Sequence, residues 1–204
     1  MKPINKEKIL AKLGHVAVLK GGASPEREIS LISGSAVFNG LKRLGVNASV
    51  IDVGNDVIEQ LKAAKPDLVV IMLHGEGGED GVIQGLLEVM ELPYTGSGVL
   101  ASSIAMDKVK SKLLWQRLGL STADFEFANE SSCWQELINR YGKLVVKPVS
   151  GGSSLGIAIV DNAVDLEKHY WKAFEFDAEV IVEKFIEGVE YSTGVLGSEL
   201  FPTI

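Results

Sequence analysis

One cysteine, Cys133, is the whole thiol complement of the 204-residue chain. With no second thiol, an internal disulfide and a Cys-based zinc site are both excluded, and such usage suits a reducing compartment. Long apolar runs are also missing: the longest strand-like stretch, 68–73, falls far short of the roughly 18 residues that a membrane span takes. Residues 1–14 carry Lys2, Lys6, Lys8 and Lys12 but lack the apolar core of a secretory signal, and their apolar residues are spaced like one face of a short amphipathic helix. A cytoplasmic location is the expectation. Positive charge is in deficit, with 20 Lys plus Arg against 27 Asp plus Glu and a net charge of −7, so neither nucleic acid nor a membrane is expected as a partner. What remains, at 46% hydrophobic and 23% charged residues, is ordinary globular usage with length for one large domain or two small ones.

The first half alternates strand and helix signals. A short apolar run at 16–19 ends in Lys20-Gly21-Gly22, and Ile29, Ile32, Val37, Leu41 and Leu44 then recur at helical spacing until Gly45 stops the helix. Strand signals at 48–53 and 67–73, with helices near 56–64 and 82–91, complete a βαβαβα pattern, which implies an open parallel sheet covered by helices. The turn-rich string PYTGSG at 93–98 marks a domain boundary. Beyond it the spacing predicts one helix through Met106, Val109 and Leu113, a strand at 125–127, a helix N-capped by Ser132 with Gln135 closing a capping box, and a strand at 144–147. The loop GGSSLG at 151–156 separates that strand from another at 157–160, a hairpin and not a strand-to-helix turn. A helix bearing Leu166, Tyr170 and Phe174 and strands at 180–186 and 191–196 close an α+β second part.

Four stretches could carry chemistry. Gly21 to Ser30 is a glycine turn feeding a helix start, where backbone N–H groups favour an anion, but the Walker spacing and a full GxGxxG are both missing. On pattern alone it reads better as a tight turn whose Glu26 and Glu28 complement the helix dipole. His74, in HGEGGEDG, follows the buried strand at the carboxyl edge where open α/β sheets bind ligands; a strand-capping histidine is an equal reading. Glu76, Glu79 and Asp80 beside it read as a solvated helix entry more readily than as a metal site. Around 147–156, serine hydroxyls and unhindered amides can fold over a polyphosphate while Lys147 neutralises it from the adjoining strand, against an edge lysine on a flexible hairpin. Glu183 and Glu190 flank an extended segment that could hold adenine and ribose, or simply alternate toward solvent. Lys108, Lys110 and Lys112 read mostly as solvated surface.

Taken together, GGASPEREIS at 21–30, LHGEGGEDGVIQG at 73–85, LPYTGSGVLASSIAMDKVKSK at 92–112, VVKPVSGGSSLGI at 145–157 and VEKFIEGVEYS at 182–192 resemble the D-alanine:D-alanine ligase family of the ATP-grasp superfamily, in order and spacing. The resemblance implies a Rossmann-like substrate-binding domain over 1–97, a central ATP-grasp lobe with the glycine/serine loop over 98–181, and the start of an incomplete C-terminal ATP-grasp lobe over 182–204. It implies ligation of two D-alanines, with ATP cleaved by way of a D-alanyl phosphate, for peptidoglycan synthesis. Carried over residue by residue, Glu28 holds the first substrate's ammonium and is linked to Ser153, and His74 sits by its carboxylate. Lys108 and Lys147 clamp ATP phosphates under the amides of Ser153 and Ser154, Glu183 with the backbone of Lys184 and Ile186 holds adenine, and Glu190 holds ribose. A homodimer is also implied. Family members supply Mg²⁺ ligands further along, whereas after Glu190 this chain has only Glu199 as a carboxylate, so no metal ligand is assigned within 1–204 and the chain alone is expected to be inactive. A non-catalytic nucleotide-binding module is the alternative, and the choice between D-alanine and D-lactate or D-serine as second substrate stays open.

Overall fold

The structure, a computed structural model, describes residues 6–152 and 155–204. After α1 (Lys6–Leu13), the strands β1 (His15–Gly21), β2 (Asn47–Val53) and β3 (Leu68–Ile71) form a parallel sheet in the order β2-β1-β3. The crossovers α2 (Arg27–Arg43) and α3 (Val57–Ala64), followed by α4 (Val82–Val89), cover it. Val16, Ala17, Val18 and Leu19 are all buried, as befits a central parallel strand flanked on both faces. The string expected as a domain boundary is tied to this sheet: the Val69 amide donates to the Pro93 carbonyl at 2.8 Å and the Thr95 amide to the Val69 carbonyl at 3.0 Å. No helix among the described residues is long and apolar enough to cross a membrane.

Where one helix was expected there are two, α5 (Val99–Met106) and α6 (Lys108–Arg117). The break is at Asp107, which takes an extended ψ of 106° so that its carboxylate can accept the Lys110 amide at 2.8 Å and cap α6. The second sheet is antiparallel, in the order β4-β7-β5-β6, built from β4 (Phe125–Ala128), β5 (Leu144–Pro148), β6 (Ala158–Val160) and β7 (Val180–Lys184). Helices α7 (Trp134–Tyr141) and α8 (Ala163–Phe174) pack on one of its faces around Leu144, Val146, Leu166 and Val182. Ser132 does not cap α7: Cys133 holds the N-cap position without a side-chain bond, because the Ser132 hydroxyl accepts the Asn129 amide and Gln135 donates to Asn139. The expected lobe boundary between 181 and 182 cuts β7, an interior strand bonded to both β4 and β5. Of the expected strand at 191–196 only β8 (Val195–Leu196) forms, in a hairpin with β9 (Glu199–Leu200) that is exposed throughout.

Helix α2 shows how a pattern can give the element and miss its face. Ile29 and Ile32 are 51% and 68% exposed, while Glu26, Ser30 and Gly34, four residues apart, form the inward stripe. Ser30 Oγ accepts the Gly21 amide at 2.8 Å and donates to the Met72 carbonyl at 2.6 Å, stitching α2 to the ends of β1 and β3. One turn on, a Cβ at Gly34 would stand 2.5 Å from Lys20 Cβ, so the helix lies against β1 at a distance only glycine permits. Gly40 on the same helix has nothing closer than 3.8 Å. Gly40→Ala is expected to stabilise the protein by roughly 0.4–1 kcal/mol, whereas Gly34→Ala, the same change in the same helix, is expected to destabilise it by about 1–3 kcal/mol through overpacking. Urea denaturation of the two variants checks the opposite signs.

Candidate nucleotide and substrate cleft

The face of the second sheet turned away from α7 and α8 carries charge. Alternation along β5 buries Leu144, Val146 and Pro148 on one side and turns Val145 and Lys147 to the other, where β7 offers Glu183. Lys147 Nζ bonds one oxygen of the Glu183 carboxylate, and Lys112 Nζ, arriving from α6, bonds the other at 2.9 Å. The Lys112 side chain is only 6% exposed; its ammonium also donates to Thr122 Oγ1 at 2.8 Å and lies 5.1 Å from the centre of the Phe125 ring. Burial pushes the Glu183 carboxyl up, but the hydrogen bonds and charges of Lys147 and Lys112 together outweigh burial and hold it below the ordinary carboxylate range. Lys112 was read as surface; its spacing of four from Lys108, on a helix whose Val109 packs inward, was the available signal.

Lys108 clasps the start of the glycine loop. Its Nζ donates to the carbonyls of Val149 at 3.2 Å, Ser150 at 3.2 Å and Gly151 at 2.8 Å. Burial, reinforced by the neighbouring Lys147, pulls its ammonium below the usual lysine range. From the other side Asp177 accepts the Ser150 amide at 2.9 Å and the Glu179 amide at 2.9 Å, so the loop root is held by a cation at its carbonyls and an anion at its amide. Ser153 and Ser154 lie outside the described residues.

This loop root forms one wall of a cleft of about 440 Å³, and the carboxyl edge of the first sheet forms the other, through Glu26, Gly75, Glu76 and Asp80. Glu26 is 5% exposed, and both oxygens of its carboxylate lie 3.9 Å from the place a Cβ on Gly152 would take, so it faces the glycine loop across the cleft. Glu28, the residue expected there, is exposed and lines no part of the cleft. Helical geometry gives the reason: two residues apart on a helix is about 200° of rotation, so only one member of the pair can look inward. Close approach of the walls also requires glycine, since a Cβ at Gly75, where φ is +68°, would meet Glu26 Oε2 at 2.5 Å.

His74 is in the neighbouring hollow. Its Nε2 lies 3.0 Å from Ser33 Oγ, its carbonyl accepts Ser24 Oγ at 2.7 Å, and its Nδ1 is 3.9 Å from Glu79 Oε1. The ring borders a smaller cavity of about 230 Å³ between the ends of β1, β2 and β3, and the next residues, Gly75 and Glu76, reach the main cleft. Lys184 and Ile186, at and beyond the end of β7, are exposed; the Lys184 amide is taken by the Asp124 carbonyl at 2.9 Å and the Phe185 amide by the Lys143 carbonyl at 3.0 Å. Glu190 is exposed in the stretch before β8. Among the described residues no group of three or more His, Cys, Asp or Glu side chains is placed to hold a metal ion.

A glycine loop rooted on an antiparallel sheet, with lysines and a carboxylate beneath it and a parallel α/β lobe facing it, defines the ATP-grasp architecture. Residues 54–97 match the family described as D-ala D-ala ligase N-terminus, and residues 114–203 match the one described as D-ala D-ala ligase C-terminus. The chain is 48% identical over 201 residues to the D-alanine--D-alanine ligase of Pseudoalteromonas atlantica, covering 96% of this chain and 63% of that protein. Among solved structures it is similar to D-alanine--D-alanine ligase from Bacillus anthracis, with a TM-score of 0.83 and 34% identity over 93% of this chain and 63% of that one. The same enzyme complexed with ATP matches with a TM-score of 0.80 and 34% identity, covering 93% of this chain and 65% of that one. The chain belongs to the D-alanine:D-alanine ligase family, and it spans less than two thirds of the length of these relatives.

Removing Glu183 alone strands two close ammonium groups, one of them buried, so Glu183→Gln is expected to cost about 3–5 kcal/mol. Because the folded-state carboxyl titrates below its unfolded value, its contribution is complete above the ordinary carboxylate range and is lost only as pH falls through the lowered value. Melting curves from neutral to acid pH should therefore show wild type and Glu183→Gln far apart at neutrality and converging in acid.

Proposed function

We propose that this protein takes part in ATP-dependent ligation of two D-alanines, by way of a D-alanyl phosphate, in the cytoplasm as a step of peptidoglycan synthesis. The observation that carries the reading is the apposition, across one cleft, of a buried carboxylate at a helix start with a lysine-flanked glycine loop. An acceptor carboxylate and a triphosphate repel each other, and a cleft must hold cations where the phosphates lie and an anion where the substrate's ammonium lies. Lys147 and Lys108 meet the first need. Each now bonds acceptors of the protein itself, so binding phosphate means exchanging those acceptors for phosphate oxygens. Glu26, in place of Glu28, meets the second, since a carboxylate walled by glycine backbone can take an ammonium at close range. Glu183 is the polar contact for the adenine amine, and Lys184, Ile186 and Glu190 line the remaining nucleotide side. His74, steadied by Ser33 through one ring nitrogen, is placed to orient the first substrate's carboxylate from the sheet edge. The Mg²⁺ that accompanies ATP in such a reaction neutralises phosphate charge; its protein ligands are expected outside 1–204, and the family likeness supports a homodimer.

Lys147→Met should weaken ATP binding roughly ten- to a hundredfold, the equivalent of about 1.5–3 kcal/mol for a charged contact, with the fold retained. Unchanged affinity in calorimetry refutes the phosphate assignment. Glu26→Gln is expected to raise the KM for D-alanine by about tenfold or more while Glu28→Gln leaves it within about twofold, and the reverse ranking in steady-state kinetics would return the role to Glu28. A polypeptide of residues 1–204 alone, given ATP, Mg²⁺ and D-alanine, is expected to form no dipeptide, because its carboxylates after Ile186 are only Glu187, Glu190 and Glu199. D-alanine-stimulated phosphate release with dipeptide formed would overturn that expectation.

A further inference from the structure

Lys147 has two calls on its charge, the Glu183 carboxylate that it bonds here and the phosphate that the proposed function gives it. When it turns to phosphate, Glu183 would be left largely buried beneath a nucleotide unless another cation stays with it. Lys112 is that cation. It bonds the opposite oxygen of the same carboxylate at 2.9 Å, is buried on α6, and is held beside Glu183 by Thr122 and the Phe125 ring. We propose that Lys112 is a positioning residue of the nucleotide site, the permanent counter-charge that keeps Glu183 ionised and aimed while Lys147 is released to bind phosphate.

The surroundings of Glu183 leave that task to Lys112. From β5 the facing charge is Lys147; from α6 it is Lys112, with Lys108 further off and turned to the loop carbonyls. From β4 the paired residue is Phe125, and Glu126 belongs to the other face, where Arg140 bonds it at 2.7 Å. On β7 itself the next charge, Lys184, is exposed. Without Lys112, a carboxylate under bound nucleotide would have burial acting on it and no remaining bonded cation, and it would take up a proton at weakly acid pH.

The inference rests on the nucleotide reading, and the experiment separates the two. ATP affinity is measured by calorimetry on the intact protein from about pH 5 to about pH 8 for wild type, K147M, K112Q and K112R, with melting temperatures recorded for each. Wild type that binds ATP and K147M that does not establish the reading itself; a wild type that does not bind ATP overturns the reading and, with it, the role of Lys112. Given binding, K112Q is expected to lose affinity about tenfold or more at the acid end and to recover toward wild type at the alkaline end, while K112R follows wild type throughout. K112Q that binds as wild type does at every pH, or that is weakened by one constant factor across the range, overturns the proposal and leaves Lys112 a structural residue. Should K112Q not fold, K112R still decides: a natively melting K112R that has lost binding at every pH shows that shape and not charge is required, which also overturns it.

Discussion

The arrangement of the second lobe depends on one carboxylate shared between two lysines. Glu183 sits on an interior strand with Lys147 across the ladder and Lys112 on the helix above, and the carboxylate needs at least one of the two cations to stay ionised there. A buried carboxylate alone would take up a proton, and two lysines alone would repel and expel one another into water. Two strands and a helix are thereby tied together by charge, beside the small apolar cluster of Val109, Val149, Ile181 and Phe125 on the same face. The opposite face of the same sheet is packed on α7 and α8 mainly by aliphatics such as Leu144, Val146, Val180 and Val182.

Backbone proximity sets the first lobe in the same way that charge sets the second. Gly34 lets α2 lie against Lys20, Ser30 ties the helix to the ends of β1 and β3, and Gly75 leaves room for the Glu26 carboxylate. Arg27, next to Glu26, makes a two-point contact with Asp52 at 2.7 Å for each bond and a third to the Gly22 carbonyl at 3.1 Å, anchoring the turn from which Glu26 projects. That pair is half exposed and contributes little stability by itself. Its value is geometric: it fixes the turn that sets where the Glu26 carboxylate stands.

Element order, the parallel and antiparallel halves, the hairpin carrying the glycine loop and the placing of Lys147 on the strand beside that loop were legible in the residues. They are written in local signals: period, turn residues, and a charged residue set in an apolar run. Among the features that were not are the break in the helix at Asp107, the choice of the carboxylate that lines the cleft and the burial of Lys112. The helix expected through Met106 is interrupted because Asp107 finds its partner in the Lys110 amide, a competition between two good local solutions that spacing does not rank. The resemblance put Glu28 where the structure has Glu26 lining the cleft; α2 presents Ile29 and Ile32 to solvent, a rotation that apolar spacing does not foretell. Lys112 looked like one more lysine of a basic helix.

By itself, then, the chain's order of residues determined the family, the two-lobe plan and the kinds of chemistry available, since each depends on neighbours within a few positions. Only the tertiary structure decided which member of each pair of like residues faces the cleft or is buried. Glu26 rather than Glu28 looks into the cleft, and Lys112, unlike Lys110, is buried against Glu183. That choice is made by the rotation of a helix on the sheet it covers and by the burial this imposes, and both are set by packing partners tens of residues away along the chain.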